Sequence, residues 1–217
     1  ERHIAREDEC SSDLAAAAVR KLFDRGVVRP EEIDFILFCT QTPDFGLPTS
    51  ACLLQSRLGL PTSAGALDFN LGCSGYVYGL ALAKALIETG QANRLLLLTG
   101  ETYSKLVDPQ DKTVRTIFGD AGAATLVVRD AAAGPGAHIG PIATGTDGSG
   151  GPNLVCHRGG WRGQVREAAA REALWMNGPE IFNFTLKVVP EVVARALTQA
   201  GLGLSDIDLF VFHQANR

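Results

Sequence analysis

Apolar residues Leu14, Ala17, Ala18, Leu22 and Phe23 recur at the spacing of a helix with one buried face, and they predict a helix over 13–25. Ser12 or Asp13 is its expected cap and Gly26 its stop. The pattern then changes to a nearly unbroken apolar run over 33–39, bounded by Pro30 and a polar 40–48 loop, which suits a strand buried on both faces. Further along, the same reading predicts a short helix over 50–58, a strand over 66–70, a helix over 74–89 ended by Gly90, and a strand over 94–99. Helices and strands thus alternate as in βα units, and a parallel, helix-covered sheet is expected.

A turn at Phe118-Gly119-Asp120-Ala121-Gly122 leads into one more expected strand over 123–128. The 131–163 stretch is rich in glycine and lacks helical periodicity, so it reads as a loop or connector with at most one short strand. We place a boundary there, between a first half at 1–135 and a second beginning at 136–217. Pro179 then suits the first turn of a helix running to Ala200 and stopped by Gly201, followed by an apolar strand over 207–212.

The order helix, glycine, linker, strand occurs twice, once with Ile33-Asp34-Phe35-Ile36-Leu37-Phe38 and again with Ile207-Asp208-Leu209-Phe210-Val211-Phe212. The copies lie 174 residues apart, far beyond solenoid periods, and imply two similar halves. The second half is then expected to be incomplete, and the chain to lack both of its ends.

Composition narrows the function classes. With 20 basic against 24 acidic residues there is no cationic excess for a nucleic acid. Apolar runs such as Leu95-Leu96-Leu97-Leu98 fall far short of the roughly 20 residues of a membrane span. The cysteines, Cys10, Cys39, Cys52, Cys73 and Cys156, are odd in number and scattered without a CxxC pair, which points to a reducing, cytoplasmic setting and to no metal site.

Candidate chemistry concentrates in Asp68-Phe69-Asn70-Leu71-Gly72-Cys73-Ser74-Gly75-Tyr76, where an apolar strand runs through small residues into a long helix. A cysteine at that helix start lies near unpaired amides and the positive end of the helix dipole, which favour a thiolate, so a nucleophilic Cys73 with a depressed pKa is expected. A small buried filler is the other reading of a lone cysteine. Ser74 is not the nucleophile of a G-x-S-x-G elbow, because Tyr76 stands where the second glycine belongs. A thiol nucleophile needs a proton-handling partner, most often histidine. His3, His138 and His157 fall in polar or glycine-rich stretches, whereas His213 ends an apolar run and precedes Gln214-Ala215-Asn216, at the strand end where open α/β sheets bind ligands. A satisfied core or surface histidine is the alternative there.

Three motifs in order, Asn70-Leu71-Gly72-Cys73-Ser74-Gly75, Phe118-Gly119-Asp120-Ala121-Gly122-Ala123 and Phe212-His213-Gln214-Ala215-Asn216, resemble the β-ketoacyl-acyl-carrier-protein synthase III family of the thiolase superfamily. The resemblance runs along nearly the whole chain. It implies an α/β, thiolase-like duplicated αβαβα sandwich. It also implies that Cys73 takes an acyl group from acyl-CoA, its own amide contributing to an oxyanion hole, before decarboxylative condensation with malonyl-ACP. His213, with an asparagine further along the family's chain, would stabilise the enolate. By the same resemblance Phe118 lines the pocket near the nucleophile, Lys112 approaches the CoA nucleotide in place of an arginine, and Met176, Asn177 and Phe182 line a pantetheine tunnel. Asn183 stands where a basic residue is common in the family.

The resemblance implies a homodimer formed through the first half's sheet, acyl-CoA and an acyl carrier protein as partners, and no separate cofactor. Two alternatives stay open. One is acyl transfer to a nitrogen or oxygen acceptor in specialised or polysaccharide metabolism, towards which the polar Asp111-Lys112-Thr113-Val114-Arg115-Thr116 segment leans; the other is a non-catalytic interaction homologue.

Overall fold

The structure, a computed structural model, describes residues 2–129, 137–160 and 173–214. The chain divides into two compact units: one gathers residues 3–102 and 119–139, the other Arg2, 103–118 and the chain from 140 onward. The boundary expected after residue 135 lies outside the described residues, as do Ala215 and Asn216 of the histidine motif.

In the first unit, helix α1 (Ser11–Asp24) starts one turn ahead of its first apolar repeat. Its cap is Cys10, whose N–H donates to the Asp13 carboxylate at 2.6 Å, so the expected cap residue Asp13 closes the box from inside the helix. Strand β1 (Phe35–Cys39), helix α2 (Ser50–Arg57), strand β2 (Gly65–Phe69), helix α3 (Gly75–Glu88), strand β3 (Arg94–Glu101) and strand β4 (Ala121–Val128) follow. The strand order is β2-β1-β3-β4.

Strands β2, β1 and β3 run parallel, as the βα alternation requires, but β4 is antiparallel to β3. The reason is topological: Glu101 pairs with Ala121, so the chain re-enters the sheet at the end where it left.

Side chains of β1 and β3 alternate between two helix layers. Ile36, Phe38, Leu96 and Leu98 pack with Ala15, Ala16 and Val19 of α1 and Ala51 and Leu54 of α2. Leu37, Leu95 and Leu97 face Ala83 and Ile87 of α3 instead. The unbroken apolar runs follow from this arrangement, since both faces of these strands are covered.

The second unit holds a small core of Val107, Val114 and Leu174 with Tyr103, Leu106, Phe118, Cys156 and Met176 against it. Two-residue strands β5 (Leu154–Val155) and β6 (Trp175–Met176) pair antiparallel, and helix α4 (Gly178–Ala200) follows. Pro179 lies in its first turn, and Gly201 ends it in the left-handed conformation with φ 67°.

The expected repeat is visible locally. Gly26, at φ 66°, and Gly201 each precede a 3-10 turn, Pro30–Glu32 and Leu204–Asp206 respectively. Beyond that the copies diverge, and the strand expected over 207–212 is not formed. Ile33 is 1% exposed and leads into β1, whereas Leu209 and Val211 are 76% and 82% exposed. A strand exists through its ladder partners, and 207–212 pairs with no strand among the described residues.

Candidate active site

The C-terminal ends of β1, β2 and β3 converge on the turn that carries Cys73. After β2 the chain passes Asn70 and Leu71, the Gly75 N–H donates back to the Gly72 carbonyl at 2.8 Å, and α3 begins. Cys73 therefore lies one residue before Ser74, the residue that precedes the helix. The turn is held against β1: the Cys39 thiol donates to the Leu71 carbonyl at 3.1 Å, and the Thr40 N–H donates to the Phe69 carbonyl at 3.2 Å. A β-carbon at Gly75 would collide with the Cys39 sulfur, so only glycine lets α3 start this close to the sheet.

Cys73 is exposed as a residue, yet its sulfur is withdrawn far enough from water to raise the thiol pKa. Its own backbone N–H opposes this, and the Glu101 carboxylate adds to it. The depressed pKa expected from the helix start is therefore not found: loss of hydration, with the neighbouring Glu101 carboxylate, outweighs the Cys73 N–H. Cys39 behaves similarly, its thiol pushed up to about 11 by burial, with Glu101 contributing.

Glu101 ends β3 and was not among the sequence candidates. One carboxylate oxygen accepts from the Gln41 N–H at 2.8 Å and the other from the Thr42 hydroxyl at 2.8 Å. The Thr102 N–H donates to the same Thr42 hydroxyl at 2.9 Å, and the Gln41 side chain donates to Asn70 at 3.1 Å. Burial nevertheless raises its pKa to about 7. The signal was available, because a carboxylate directly after Leu95-Leu96-Leu97-Leu98-Thr99-Gly100 lies at a parallel strand's carboxyl end, the position that drew attention to His213.

Asp120 of the Phe118-Gly119-Asp120 turn is buried and clamps the start of the unit. Its N–H donates to the His3 carbonyl at 2.9 Å, and its carboxylate accepts from the Ala5 N–H at 2.7 Å.

The remaining candidates belong to the second unit. Phe118 and Met176 come together on the same apolar cluster, where Phe118 stacks on Tyr103 with ring centroids 4.9 Å apart. Lys112 is exposed at the start of a run of turns beside Asp111, whose carboxylate accepts from the Thr113 hydroxyl at 2.5 Å. Asn177 caps α4, its side chain accepting from the Glu180 N–H at 3.5 Å while its own N–H donates to the Asn153 carbonyl at 2.7 Å. Phe182 and His213 are exposed, and His213 follows an irregular run rather than a strand. Among the described residues no three His, Cys, Asp or Glu side chains are grouped to hold a metal ion. Nor is any described helix long and apolar enough to cross a membrane.

Known proteins resemble the chain closely. A profile of the family described as 3-oxoacyl-[acyl-carrier-protein (ACP)] synthase III matches residues 67–148, which include Cys73 and Glu101. A crystal structure of a 3-oxoacyl-(acyl-carrier-protein) synthase III is 51% identical, with a TM-score of 0.94 over 100% of this chain and 67% of that one. A 3-oxoacyl-(acyl-carrier protein) synthase from Burkholderia xenovorans LB400 is 40% identical, with a TM-score of 0.85 over 99% of this chain and 62% of its own. The β-ketoacyl-[acyl-carrier-protein] synthase III of Caldanaerobacter subterraneus subsp. tengcongensis is 37% identical over 219 residues. That alignment takes in 100% of this chain, which spans 65% of the relative's length.

Proposed function

Because the chain belongs to the 3-oxoacyl-[acyl-carrier-protein] synthase III family and has its thiolase-like α/β fold, we propose that it is the Cys73-bearing part of an acyltransferase of fatty acid or related biosynthesis. The observation that carries this reading is the placement of Cys73 where parallel strand ends meet the start of α3, with its own N–H close to its sulfur.

In the first half-reaction the Cys73 sulfur attacks the thioester carbonyl of acyl-CoA, and the tetrahedral oxyanion collapses to an acyl-cysteine thioester with release of CoA thiol. By the family resemblance the Cys73 backbone N–H is assigned to the oxyanion hole, where it would donate to the charge that develops on the acyl oxygen. In the second half-reaction malonyl-ACP loses carbon dioxide, and the electron pair left on its α-carbon attacks the acyl carbonyl. Cys73 leaves as thiolate and a β-ketoacyl-ACP forms. His213 is assigned to the thioester oxygen of the malonyl group, where a donor lowers the barrier to decarboxylation. Phe118 is assigned to the pocket wall near the nucleophile, Met176, Asn177 and Phe182 to the pantetheine tunnel, and Lys112 to the CoA nucleotide.

A homodimer is part of the reading. Among the described residues β2 pairs with β1 alone, which leaves its other edge without a strand partner there, and Leu67 on it is exposed together with Tyr76 and Val77 of α3. A second copy paired edge to edge would continue the sheet.

Intact mass spectrometry after incubation with acyl-CoAs of increasing length tests the first half-reaction. One added acyl group that disappears in Cys73→Ala is expected, and no gain with any chain length would favour a non-catalytic homologue. Carbon dioxide release from malonyl-ACP by the acylated protein then separates carbon–carbon bond formation from transfer to a nitrogen or oxygen acceptor.

A further inference from the structure

Glu101 links the loop after β1 to the end of β2, from which the chain enters the Cys73 turn. It receives the loop after β1 through Gln41 and Thr42, and Gln41 passes the link to Asn70 at the end of β2. Counting from Leu95 and Leu97, which face α3, Glu101 projects from the same face of β3 as the helix that Cys73 precedes. A carboxylate there has two distinct effects. Its hydrogen bonds fix where the loop and the turn meet, and its charge opposes formation of a thiolate at Cys73.

We propose that Glu101 is a positioning residue for Cys73, tying the loop after β1 to the strand end that leads into the turn and placing its carboxylate on the face of β3 that meets α3, where it couples to the sulfur. For its functional meaning this rests on Cys73 being the acyl-accepting thiol. The physical coupling between the two groups does not depend on that reading.

The groups that face Glu101 leave the coupling simple. The turn before α3 brings Cys73 and β1 brings Cys39, and both sense the carboxylate. The loop after β1 brings the uncharged Thr40, Gln41 and Thr42, and β4 offers Ala121 opposite. α1 contributes the Ser11 hydroxyl, which donates to the Thr42 carbonyl at 2.7 Å. The carboxylate of that loop, Asp44, is engaged by the Ser12 hydroxyl at 2.6 Å, and Asp68 of β2 by the Ser50 and Ala51 N–H groups at 2.6 Å each.

The coupling is read from the rate at which iodoacetamide alkylates Cys73, followed by peptide mass spectrometry from about pH 6 to about pH 10. In the unaltered protein the logarithm of the rate rises with pH, flattens around pH 7 as Glu101 ionises, and then resumes its rise. A single uninterrupted slope would overturn the proposal without reference to any variant. Glu101→Gln is expected to remove the flattening and to accelerate alkylation at mildly alkaline pH by roughly 3- to 10-fold, and Glu101→Asp to restore the flattening. A purely structural role predicts a rate change without a change in the shape of the profile. Because the assay contains no acyl-CoA, failure of acyl transfer and failure of this coupling are separate outcomes.

Discussion

The carboxylate of Glu101 is withdrawn from water, and the donors of Gln41, Thr42 and Thr40 replace only part of its hydration, so its pKa stands at about 7 rather than near 4.5. The folded chain consequently holds the proton more tightly than the unfolded chain. The stability this contributes is fully present below about pH 4.5 and is lost as pH rises through about 7, with a magnitude on the order of 3 kcal/mol. Urea unfolding of the unaltered protein and of Glu101→Gln should therefore diverge in favour of the variant as pH rises from about 5 to about 8. Parallel curves would show that the carboxylate is solvated as well in the fold as outside it. Gly75→Ala belongs at the same scale. Its methyl would meet the Cys39 sulfur, and the start of α3 must move to relieve the contact. A loss of about 1 to 3 kcal/mol is expected in the same unfolding experiment, together with altered Cys73 alkylation.

Among the elements, α4 depends most visibly on its ends. Asn177 accepts at the N-terminus and Gly201 turns the C-terminus at φ 67°. Asn177→Ala removes the cap and should cost about 1 kcal/mol, while Gly201→Ala forces a β-carbon into the left-handed region at a similar cost. Thermal unfolding followed by circular dichroism reads both. If Asn177→Ala leaves stability unchanged but lowers acyl transfer, its role is in substrate contact rather than capping. Helix and strand positions were legible in the sequence because α1, α3 and β1 announce themselves by period and by the glycines or loops that bound them. The strand at 207–212 was not, because an apolar run states a preference for burial and cannot supply the neighbour whose backbone would complete a ladder.

At the scale of the whole molecule, β2 has β1 as its one strand partner among the described residues, and the proposed dimer is assigned to its other edge. Leu67→Lys places a charge on that edge, and a dimeric protein should shift towards monomer in analytical ultracentrifugation with its helix content retained. An unaltered sedimentation profile would assign the contact to another surface. What the amino-acid sequence determined by itself is the order of elements, the alternation that puts apolar residues on both faces of β1 and β3, and the location of Cys73 at a strand-to-helix turn, since each is a local matter of period, small residues and helix ends. Only the tertiary structure decided the direction of β4, the conversion of Asp120 into a clamp on the first residues, and the environment of Cys73. That environment depends on Gln41, Thr42 and Glu101, which lie up to 60 residues from one another along the chain and meet only when β1 and β3 pair. Loss of hydration and charge proximity are properties of such a meeting, so the thiol's elevated pKa was not readable from the residues that flank it.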